Sequence, residues 1–327
     1  MRGDLHLAAP AIGCLGRPCD QAKIDLRPPR RRLRHGGAGG DRMTRHVCGI
    51  SGGKDSSALA VYMRDRVPDM EYFFCDTGAE LPETYAYISK LEVALGKKIA
   101  RLNSSRGFDH YFEVFKGCLP SPQMRWCTKL LKIKPLEEWL GDDESVSYVA
   151  IRADEAHRKG HVSSRPNITT RYPFIEDDVD LAGVNRILED AGIGLPDYYK
   201  WRTRSGCYFC FFQRKAEWVG LAENHPKLFE QAVAIENKVL KDAGAGGDAS
   251  FAEHAMAGRQ YTWSQGETLL QLVSRKDQIK ARHKLAIERE RERERANSQL
   301  KNLPLVDVLA GALDEEDDSK ACTMCHL

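Results

Sequence analysis

The chain has 327 residues, of which 42% are hydrophobic and 29% charged, and its formal net charge is +2. That length can hold one large domain with appendages, and its apolar stretches all fall short of the ~20 residues that a membrane-spanning helix needs. Residues 1–42 carry a net charge of +5, so residues 43–327 carry −3. This balance excludes a generally basic protein that coats nucleic acid. We expect a cytoplasmic protein without a membrane partner.

Residues 1–42 differ in composition from the rest of the chain. They are rich in Gly, Pro and Arg, as in Pro28-Pro29-Arg30-Arg31-Arg32, and have no usable periodicity. We do not expect a secretory signal in this segment. We predict a disordered extension, or a mis-assigned start with Met43 as the true initiator.

Ser51-Gly52-Gly53-Lys54-Asp55-Ser56 is the most informative segment. It lies between an apolar run, residues 46–50, and a run with helical character, residues 57–63. A strand that turns through glycines into a helix leaves backbone N–H groups unpaired at the positive end of the helix dipole. The glycines allow phosphates to approach the backbone, and the serine hydroxyls add donors. The segment therefore predicts a pyrophosphate site, although it is not a Walker loop.

Two further strand-like runs end in polar residues. Residues 71–75 are apolar and aromatic and lead into Asp76, and residues 148–151 lead into Arg152. Strand-like and helical patterns alternate between these runs, which predicts an α/β fold with a doubly wound, mostly parallel sheet. Because the carboxyl ends of parallel strands meet at one edge, we expect Asp76 and Arg152 to lie there together with Ser51.

The C-terminal part is polar and has helical patterns. Residues 221–240 and 267–300 are predicted helices separated by a Gly-rich break, and the alternating Glu and Arg of residues 288–295 are typical of a solvated helix. The acidic residues 314–318 lead into a tail that we expect to be mobile. We divide the chain into an extension (1–42), a sheet domain with metal-binding cysteines (43–220), a helical extension (221–301) and an acidic, Cys-containing tail (302–327).

Ten cysteines provide a second chemical signal. A large chain without a secretory signal does not need disulfides, so reduced or metal-bound thiols are expected. Cys207 and Cys210 form a Cys-x-x-Cys pair that can present two thiolates to one ion, and Cys127 lies 80 residues upstream of Cys207. Ligand type alone does not decide between zinc and an iron–sulfur cluster. The tail contains another pair, Cys322 and Cys325, which can relay sulfur or electrons.

Five segments, in order, resemble the PP-loop ATP pyrophosphatases and, within that group, the phosphoadenosine phosphosulfate (PAPS) reductase family. The resemblance covers residues 43–218 and implies the adenine nucleotide alpha hydrolase-like (HUP-type) fold. One of the segments is similar to the family's Cys-Cys-x-x-x-Lys-x-x-Pro-Leu, with one extra residue before the lysine. The five segments are residues 51–56, 76–84, 125–136, 148–158 and 172–210, the last of which includes Tyr172-Pro173-Phe174 and Gly206-Cys207-Tyr208-Phe209-Cys210.

The resemblance also implies cofactors. ATP and Mg²⁺ belong to the PP-loop, and cluster-bearing reductases of this family hold a [4Fe–4S] cluster on a Cys-Cys pair and a Cys-x-x-Cys pair. Trp126 stands at the first of these four positions. The implied metal ligands are therefore Cys127, Cys207 and Cys210.

Three cysteines leave one position of a cluster without a family ligand, because such clusters normally have four. Cys118, a histidine or an exogenous ligand can fill it, or the iron stays open to sulfide, as in the three-cysteine clusters of PP-loop tRNA thiolation enzymes. Zinc is the alternative metal, with His157 or His161 as its fourth ligand.

Roles for single residues follow from the same resemblance. Asp55 is expected to cap the helix, to bind Mg²⁺, or both. Four cationic residues are expected to face a phosphate or sulfate, and they are Lys129, Lys132, Arg152 and Arg158. Cys325 belongs to a tail loosely similar to the Glu-Cys-Gly-x-His tail of the reductases. The candidate catalytic residues are Asp55, Lys129, Arg152, Arg158 and Cys325, and the candidate nucleotide ligands are Ser51, Gly52, Gly53, Lys54, Asp55, Ser56 and Asp76.

All six residues of the PP-loop motif are present at positions 51–56. This favours an ATP-dependent sulfurtransferase, because the resemblance implies that reductases of the family have lost much of this loop. The resemblance is nearest to the iron–sulfur proteins of DNA phosphorothioation, which implies a cysteine desulfurase as sulfur donor and a nucleic acid acceptor, with DNA preferred to tRNA. The alternatives are a PAPS or adenosine phosphosulfate reductase and a tRNA thiolation enzyme.

Overall fold

The structure is a computed structural model, and it describes residues 44–122, 124–158, 165–244, 262–264 and 266–300. The predicted extension, residues 1–42, and the predicted tail, residues 302–327 with Cys322 and Cys325, lie outside these ranges. His161, one of the candidate zinc ligands, also lies outside them.

Five strands form one sheet, and they are β1 (Arg45–Gly49), β2 (Glu71–Cys75), β3 (Ile99–Leu102), β4 (Ser145–Tyr148) and β5 (Ile168–Arg171). Their spatial order is β3-β2-β1-β4-β5, and all neighbours are parallel. The predicted doubly wound parallel α/β sheet is confirmed. Because the strand order reverses at β1, the crevice beyond its carboxyl end is where ligands of such sheets bind.

Helices cover both faces of the sheet and continue beyond it. None in the described ranges is long and apolar enough to cross a membrane. A π-helical segment (Lys129–Ile133) and two 3₁₀ turns (Ala153–Glu155 and Asp197–Lys200) complete the helical structure. The α-helices are α1 (Lys54–Arg64), α2 (Pro82–Leu95), α3 (Phe108–Val114), α4 (Trp126–Thr128), α5 (Lys134–Leu140), α6 (Pro173–Glu176), α7 (Leu181–Asp190), α8 (Lys215–Asn224), α9 (Pro226–Gly244), α10 (Leu269–Ser274) and α11 (Lys276–Leu300).

The local sequence explains several of these boundaries. β2 is buried from Tyr72 to Cys75, as expected for a parallel strand that is covered on both faces. Helix α2 starts with Pro82, whose missing N–H has no partner to lose at that position, and ends before Gly96 in the left-handed conformation, with φ +62°.

The predicted strand over residues 148–151 is displaced in the structure. β4 spans Ser145–Tyr148, and residues 149–151 are buried beyond the end of its ladder. The neighbouring strands end at Gly49 and Arg171, so little backbone remains for pairing. The apolar run therefore indicated burial correctly and the extent of the strand incorrectly.

The two predicted C-terminal helices are each divided. Helix α8 ends at Asn224 and α9 begins at Pro226, because proline disfavours a helical conformation in the residue before it and suits the first helical position. The second predicted helix is interrupted at Arg275. Helix α8 also runs across residue 220, where we predicted a domain limit, and the division into domains stays a prediction.

Two hydrophobic clusters frame the carboxyl edge of the sheet. The first packs α1, α2 and α7 on the sheet around Leu59 and Val184. The second gathers α3, α4 and the C-terminal helices around Trp218 and Trp263. Leu81, which follows β2, belongs to the second cluster. The edge where ligands are expected therefore borders this second cluster.

Candidate active site

The nucleotide loop, defined as residues 51–56, joins β1 to α1. Gly52 has φ +75°, and a Cβ at this position would lie 2.6 Å from Cγ2 of Thr84. Gly53 is the N-cap residue of α1, and its Cβ would lie 2.9 Å from Oγ of Ser205. Close packing therefore excludes larger side chains at both positions, and the backbone conformation also favours glycine at Gly52.

Hydroxyl groups hold this loop in shape. The N–H of Ser51 donates to Oγ of Ser56 at 3.1 Å, and the two serine Oγ atoms lie 3.0 Å apart. At the start of α1, the N–H of Lys54 donates to the hydroxyl of Tyr199 at 3.2 Å. This N–H lies at the positive end of the helix dipole, where a phosphate oxygen can replace the tyrosine hydroxyl.

Asp55 lies in the first turn of α1 and is 5% exposed. Its carboxylate accepts hydrogen bonds from Nη1 of Arg152 at 2.9 Å and from Nζ of Lys54 at 3.2 Å. Arg152 follows β4 and also pairs with Asp154 at 2.9 Å and Glu155 at 3.1 Å. The structure thus brings Asp55 and Arg152, two candidate catalytic residues, into direct contact at the carboxyl edge of the sheet.

Arg158 and Asp76 are each held by near neighbours in sequence. Arg158 donates to Glu155 at 2.5 Å. Oδ1 of Asp76 accepts from the N–H of Gly78 at 2.9 Å and from the hydroxyl of Tyr85 at 2.7 Å. These bonds fix the carboxylate of Asp76 directly after β2, the strand beside β1.

A second site, which we call the cysteine pocket, has about 530 Å³ of empty space, part of which is open to solvent. Cys127, Cys207 and Cys210 all line it, and all three are partly exposed. The structure therefore brings the three predicted metal ligands to one pocket. Its other lining residues include the polar Thr77, Thr128 and Lys132 and the aromatic Phe209, Phe211 and Phe212.

The π-helical segment after α4 determines which lysine reaches this pocket. The N–H of Lys134 bonds the carbonyl of Lys129, an i→i+5 bond that accommodates one residue more than an α-helical turn. This matches the extra residue noted in the sequence segment. Lys132 lines the pocket, whereas Lys129 is exposed. The structure favours Lys132 over Lys129 as the cation of the pocket.

Glu80 places a carboxyl group beside the cysteines and is only 6% exposed. Its Oε1 accepts from the hydroxyl of Thr77 at 3.0 Å and from the thiol of Cys207 at 3.6 Å. Its Oε2 is buried and accepts no hydrogen bond from the described residues. Burial raises the pKa of the Glu80 carboxyl and the pKa of the Cys207 thiol, and the charge of Lys132 opposes both shifts.

Arg202 supports the backbone around Cys207. It is 1% exposed and donates to the carbonyls of Gly206 at 3.1 Å and Cys207 at 3.0 Å. Glu217 is also buried, and burial would raise its pKa. The charge of Arg202 and hydrogen bonds from Thr203 outweigh that effect and lower the pKa of Glu217. The two hydrogen bonds of Arg202 fix the backbone of the first cysteine of the Cys-x-x-Cys pair.

Residues 198–205 connect the nucleotide loop to the cysteine pocket. The hydroxyl of Tyr198 donates to the carbonyl of Gly52 at 2.7 Å, and Oγ of Ser205 donates to Oγ of Ser51 at 3.0 Å. Ser205 precedes Cys207 by two residues, so their Cα atoms lie within about 8 Å of each other. The two sites are therefore parts of one continuous region.

The donors of the cysteine pocket fit a thiophilic metal centre in type and number, since three thiols converge on one cavity. Within the described ranges, no three His, Cys, Asp or Glu side chains are already arranged to hold a metal, so binding would require the thiols to reorient. Cys118 is buried with its Sγ 3.6 Å from Sδ of Met124, and His157 is exposed. These two candidate fourth ligands are not among the residues that line the pocket.

Sequence reasoning missed four residues of this region: Thr77, Glu80, Tyr199 and Ser205. Thr77 lies in a segment that carried the resemblance, and Glu80 occupies one of its variable positions. A charged residue in the loop between a buried strand and the next helix was the available signal for Glu80. Tyr199 and Ser205 act through contacts with a loop about 150 residues earlier in the chain, and no local pattern signals such contacts.

Residues 45–168 match the phosphoadenosine phosphosulfate reductase domain. The matched range contains the nucleotide loop, Asp76, Cys127 and Arg152. It ends before Cys207 and Cys210, which belong to the part of the chain that this match leaves uncovered.

Curated relatives match the chain over limited ranges. The uncharacterized protein MJ0973 of Methanocaldococcus jannaschii is 29% identical over 200 residues, which are 57% of this chain and 46% of that protein. The tRNA-specific 2-thiouridylase MnmA of Pasteurella multocida is 27% identical over 124 residues, 34% of this chain and 32% of that protein. The chain thus spans less than half the length of these relatives.

Two solved structures are also similar. A PAPS reductase from Candida auris is 15% identical with a TM-score of 0.41, over 50% of this chain and 82% of that chain. The U34-tRNA thiolase NcsA from Methanococcus maripaludis was solved with its [4Fe-4S] cluster. It is 14% identical with a TM-score of 0.31, over 59% of this chain and 71% of that chain. The match over residues 45–168 supports a PAPS reductase-like domain in that part of the chain.

Proposed function

We propose that the protein is an ATP pyrophosphatase that converts ATP to AMP and pyrophosphate and uses adenylation to insert sulfur into an acceptor. One contact carries this proposal. Oγ of Ser205, two residues before Cys207, donates to Oγ of Ser51 in the nucleotide loop at 3.0 Å. An anion-binding loop that is bonded to a residue two positions before a cysteine of the three-thiol pocket suits a reaction that first activates an oxygen with ATP and then replaces it with sulfur.

In the first step, an oxygen of the acceptor attacks the α-phosphorus of ATP, the bond between the α-phosphorus and the bridging oxygen breaks, and pyrophosphate leaves. The N–H groups at the start of α1 and the ammonium of Lys54 would hold the pyrophosphate. Asp55 would hold Mg²⁺, which neutralises phosphate charge. The adjacent Arg152 adds a fixed positive charge, and positioning with charge neutralisation supplies most of the catalysis.

In the second step, a sulfide-level nucleophile attacks the activated centre, and AMP leaves with the original oxygen. Cys127, Cys207 and Cys210 would hold a [4Fe–4S] cluster, with zinc as the alternative. A cluster with only three cysteine ligands supplies an iron that can hold sulfide. Lys132 contributes positive charge next to the thiolates, and a cysteine desulfurase is the proposed sulfur donor.

The proposed acceptor is a nucleic acid, and the resemblance to the phosphorothioation proteins favours DNA. The second candidate is tRNA, which the 27% identity with a tRNA-specific 2-thiouridylase supports. Residues 43–327 carry a net charge of −3, so partner proteins are expected to help deliver either polymer.

Product analysis tests the nucleotide chemistry. Purified protein with Mg²⁺ and ATP is expected to form AMP and pyrophosphate in equal amounts, slowly in the absence of acceptor. Formation of ADP and phosphate would contradict the proposal. Binding and reduction of PAPS without any cleavage of ATP would show that the protein is a sulfonucleotide reductase instead.

Labelling identifies the acceptor. Cells that produce the protein are given cysteine with a radioactive sulfur atom. The radioactivity of their DNA and tRNA fractions is measured separately and compared with that of cells that produce the Asp55→Ala variant. Label in DNA supports phosphorothioation, and label in tRNA supports the second candidate. The absence of excess label in both fractions would contradict a nucleic acid acceptor.

A further inference from the structure

Glu80 does not itself line the cysteine pocket, but it contacts two lining residues, Thr77 and Cys207, and has a buried oxygen without a hydrogen bond. The side chain is 6% exposed, and its Oε2 accepts no hydrogen bond from the described residues. A buried carboxyl oxygen left in this state costs free energy, and such a group in a native protein calls for an explanation, of which a bound cation is one. The other oxygen, Oε1, contacts Thr77 and the thiol of Cys207.

The distance between Glu80 and Cys207 suits two ligands of one ion. Oε1 and Sγ lie 3.6 Å apart. With zinc–sulfur and zinc–oxygen bonds of about 2.3 Å and 2.0–2.2 Å at a tetrahedral angle, the two donor atoms of one zinc ion are separated by about 3.6 Å. Little movement of Glu80 relative to Cys207 is therefore needed for both to reach the same metal.

The sequence left the fourth ligand open, and the two other candidates within the described residues are placed less favourably than Glu80. Cys118 is buried against Met124, and His157 is exposed. Glu80 directly contacts one of the three predicted ligands and lies one strand away from the nucleotide loop, because it follows β2. A carboxylate is also an accepted ligand of both zinc and iron.

We propose that Glu80 is the fourth ligand of the metal centre in the cysteine pocket, an oxygen donor that completes the set of Cys127, Cys207 and Cys210. An oxygen ligand is exchanged more readily than a thiolate at a thiophilic metal, so this position is the one that a sulfur atom can take. Glu80 thus keeps the position occupied until sulfur arrives. The inference rests on the metal centre of the proposed function, but it concerns binding and not turnover.

The test compares three full-length variants, all purified without oxygen and assayed without ATP. Glu80→Gln removes the anionic oxygen ligand, and Glu80→Cys offers a thiolate instead. Glu83→Gln is the matched control, because Glu83 belongs to the same segment and also has a buried oxygen without a hydrogen bond, but its other oxygen pairs with His225 at 2.7 Å. Iron, sulfide and zinc are counted per chain, and circular dichroism checks folding.

If the centre is a cluster, brief mild oxidation is expected to leave four irons per chain in the unmodified protein and in Glu83→Gln, but three in Glu80→Gln. Glu80→Cys should retain four. If the centre is zinc, Glu80→Gln should lower Zn²⁺ affinity at least ~10-fold, as even weaker perturbations of metal sites do. X-ray absorption should then show three sulfurs and one oxygen in the unmodified protein and four sulfurs in Glu80→Cys.

Three results would overturn the inference. One is a folded Glu80→Gln protein with the metal content and affinity of the control, and another is a four-sulfur shell in unmodified zinc protein. The third is an unmodified chain that takes up neither iron nor zinc on anaerobic reconstitution. If Glu80→Gln does not fold, two other measurements decide whether Glu80 is a ligand. They are the X-ray absorption spectrum of unmodified zinc protein and the iron retained by Glu80→Cys after oxidation. A chain that binds metal through Glu80 but does not cleave ATP would contradict only the proposed function.

Discussion

The nucleotide loop consists of six consecutive residues, whereas the cysteine pocket is assembled from three separate segments. The loop joins β1 directly to α1. The pocket takes Thr77 from the end of β2, Cys127 and Lys132 from the region of α4, and residues 206–212 from much further along the chain. The position of the loop therefore follows from local sequence, whereas the pocket requires segments that are distant in the chain to pack together.

The two regions also differ in how their polar groups are satisfied. In the loop, the hydroxyls of Ser51 and Ser56 are hydrogen-bonded to each other, and the hydroxyl of Tyr199 accepts a hydrogen bond from the N–H of Lys54. In the pocket, one oxygen of Glu80 has no hydrogen bond. The hydroxyls of the loop therefore satisfy one another, whereas the pocket borders a buried carboxyl oxygen that a bound group would satisfy under the proposed function.

The largest expected effect comes from Asp55→Ala. This change removes the carboxylate that contacts Arg152 and Lys54, so ATP cleavage to AMP should fall by roughly 10²–10³-fold, as when a preorganised charge is lost from an active site. Arg152 retains Asp154 and Glu155 as partners, so the protein should stay folded. The rate of pyrophosphate release measures the effect.

Asp65→Ala is the matched control for that experiment. Asp65 follows the end of the same helix, α1, and its side chain is 79% exposed. This variant should cleave ATP at the rate of the unmodified protein. Equal rates for all three proteins would contradict a role for Asp55 in the nucleotide site.

A pair of glycine substitutions compares the backbone of the two regions. Gly52→Ala adds a Cβ that overlaps Thr84 at a positive φ, and it should destabilise the protein by about 2–4 kcal/mol. Gly78 lies in the turn beside the cysteine pocket with φ +72° and open space around its Cβ position. Gly78→Ala should therefore cost only about 1 kcal/mol.

Urea unfolding of both variants measures these costs. If Gly52→Ala were no more destabilising than Gly78→Ala, the close packing of the nucleotide loop against Thr84 would be wrong. The comparison isolates the steric overlap, because both positions share nearly the same backbone conformation.

The smallest effect concerns pH and the support of the cysteine pocket. Because the pKa of Glu217 is lowered in the folded protein, its contribution to stability is complete above the unfolded pKa of ~4.3 and is lost as pH falls through the folded pKa. Glu217→Gln should destabilise the protein by about 1–3 kcal/mol at pH 7. That difference from the unmodified protein should shrink below about pH 5.

Urea unfolding between pH 3 and pH 7 checks this trend. Glu223→Gln, a change at a more exposed position of the same helix, serves as the control and should show a small difference at every pH. A Glu217→Gln difference that stayed constant with pH would show that the negative charge of Glu217 does not contribute to stability.

The sequence predicts the nucleotide region better than the cysteine pocket, for a physical reason. A strand, two glycines and a helix start are local features, and their positions along the chain also indicate the carboxyl edge where Asp55 and Arg152 meet. The contact between Glu80 and Cys207 joins residues 127 positions apart, and only tertiary packing determines it.

Smaller differences have equally specific causes. The sequence places both Lys129 and Lys132 near the metal-binding cysteines, and only the i→i+5 bond at Lys134 shows which of the two faces the pocket. The break before Pro226 was readable from the sequence, since proline favours the first position of a helix. The end of β4 was not, because it depends on where the neighbouring strands stop.

If the nucleotide loop and the cysteine pocket form one active site, as the proposed function requires, Cys207→Ala should uncouple ATP binding from sulfur transfer. Cys118→Ala is the control, a buried cysteine that changes in the same way outside the pocket. We measure folding, ATP binding and sulfur incorporation into cellular nucleic acid for both. With a single active site, Cys207→Ala is expected to stay folded and to bind ATP but to incorporate sulfur only at background level. Cys118→Ala is expected to retain sulfur incorporation. A Cys207→Ala protein that is merely less stable, with normal incorporation per folded molecule, would contradict a single active site.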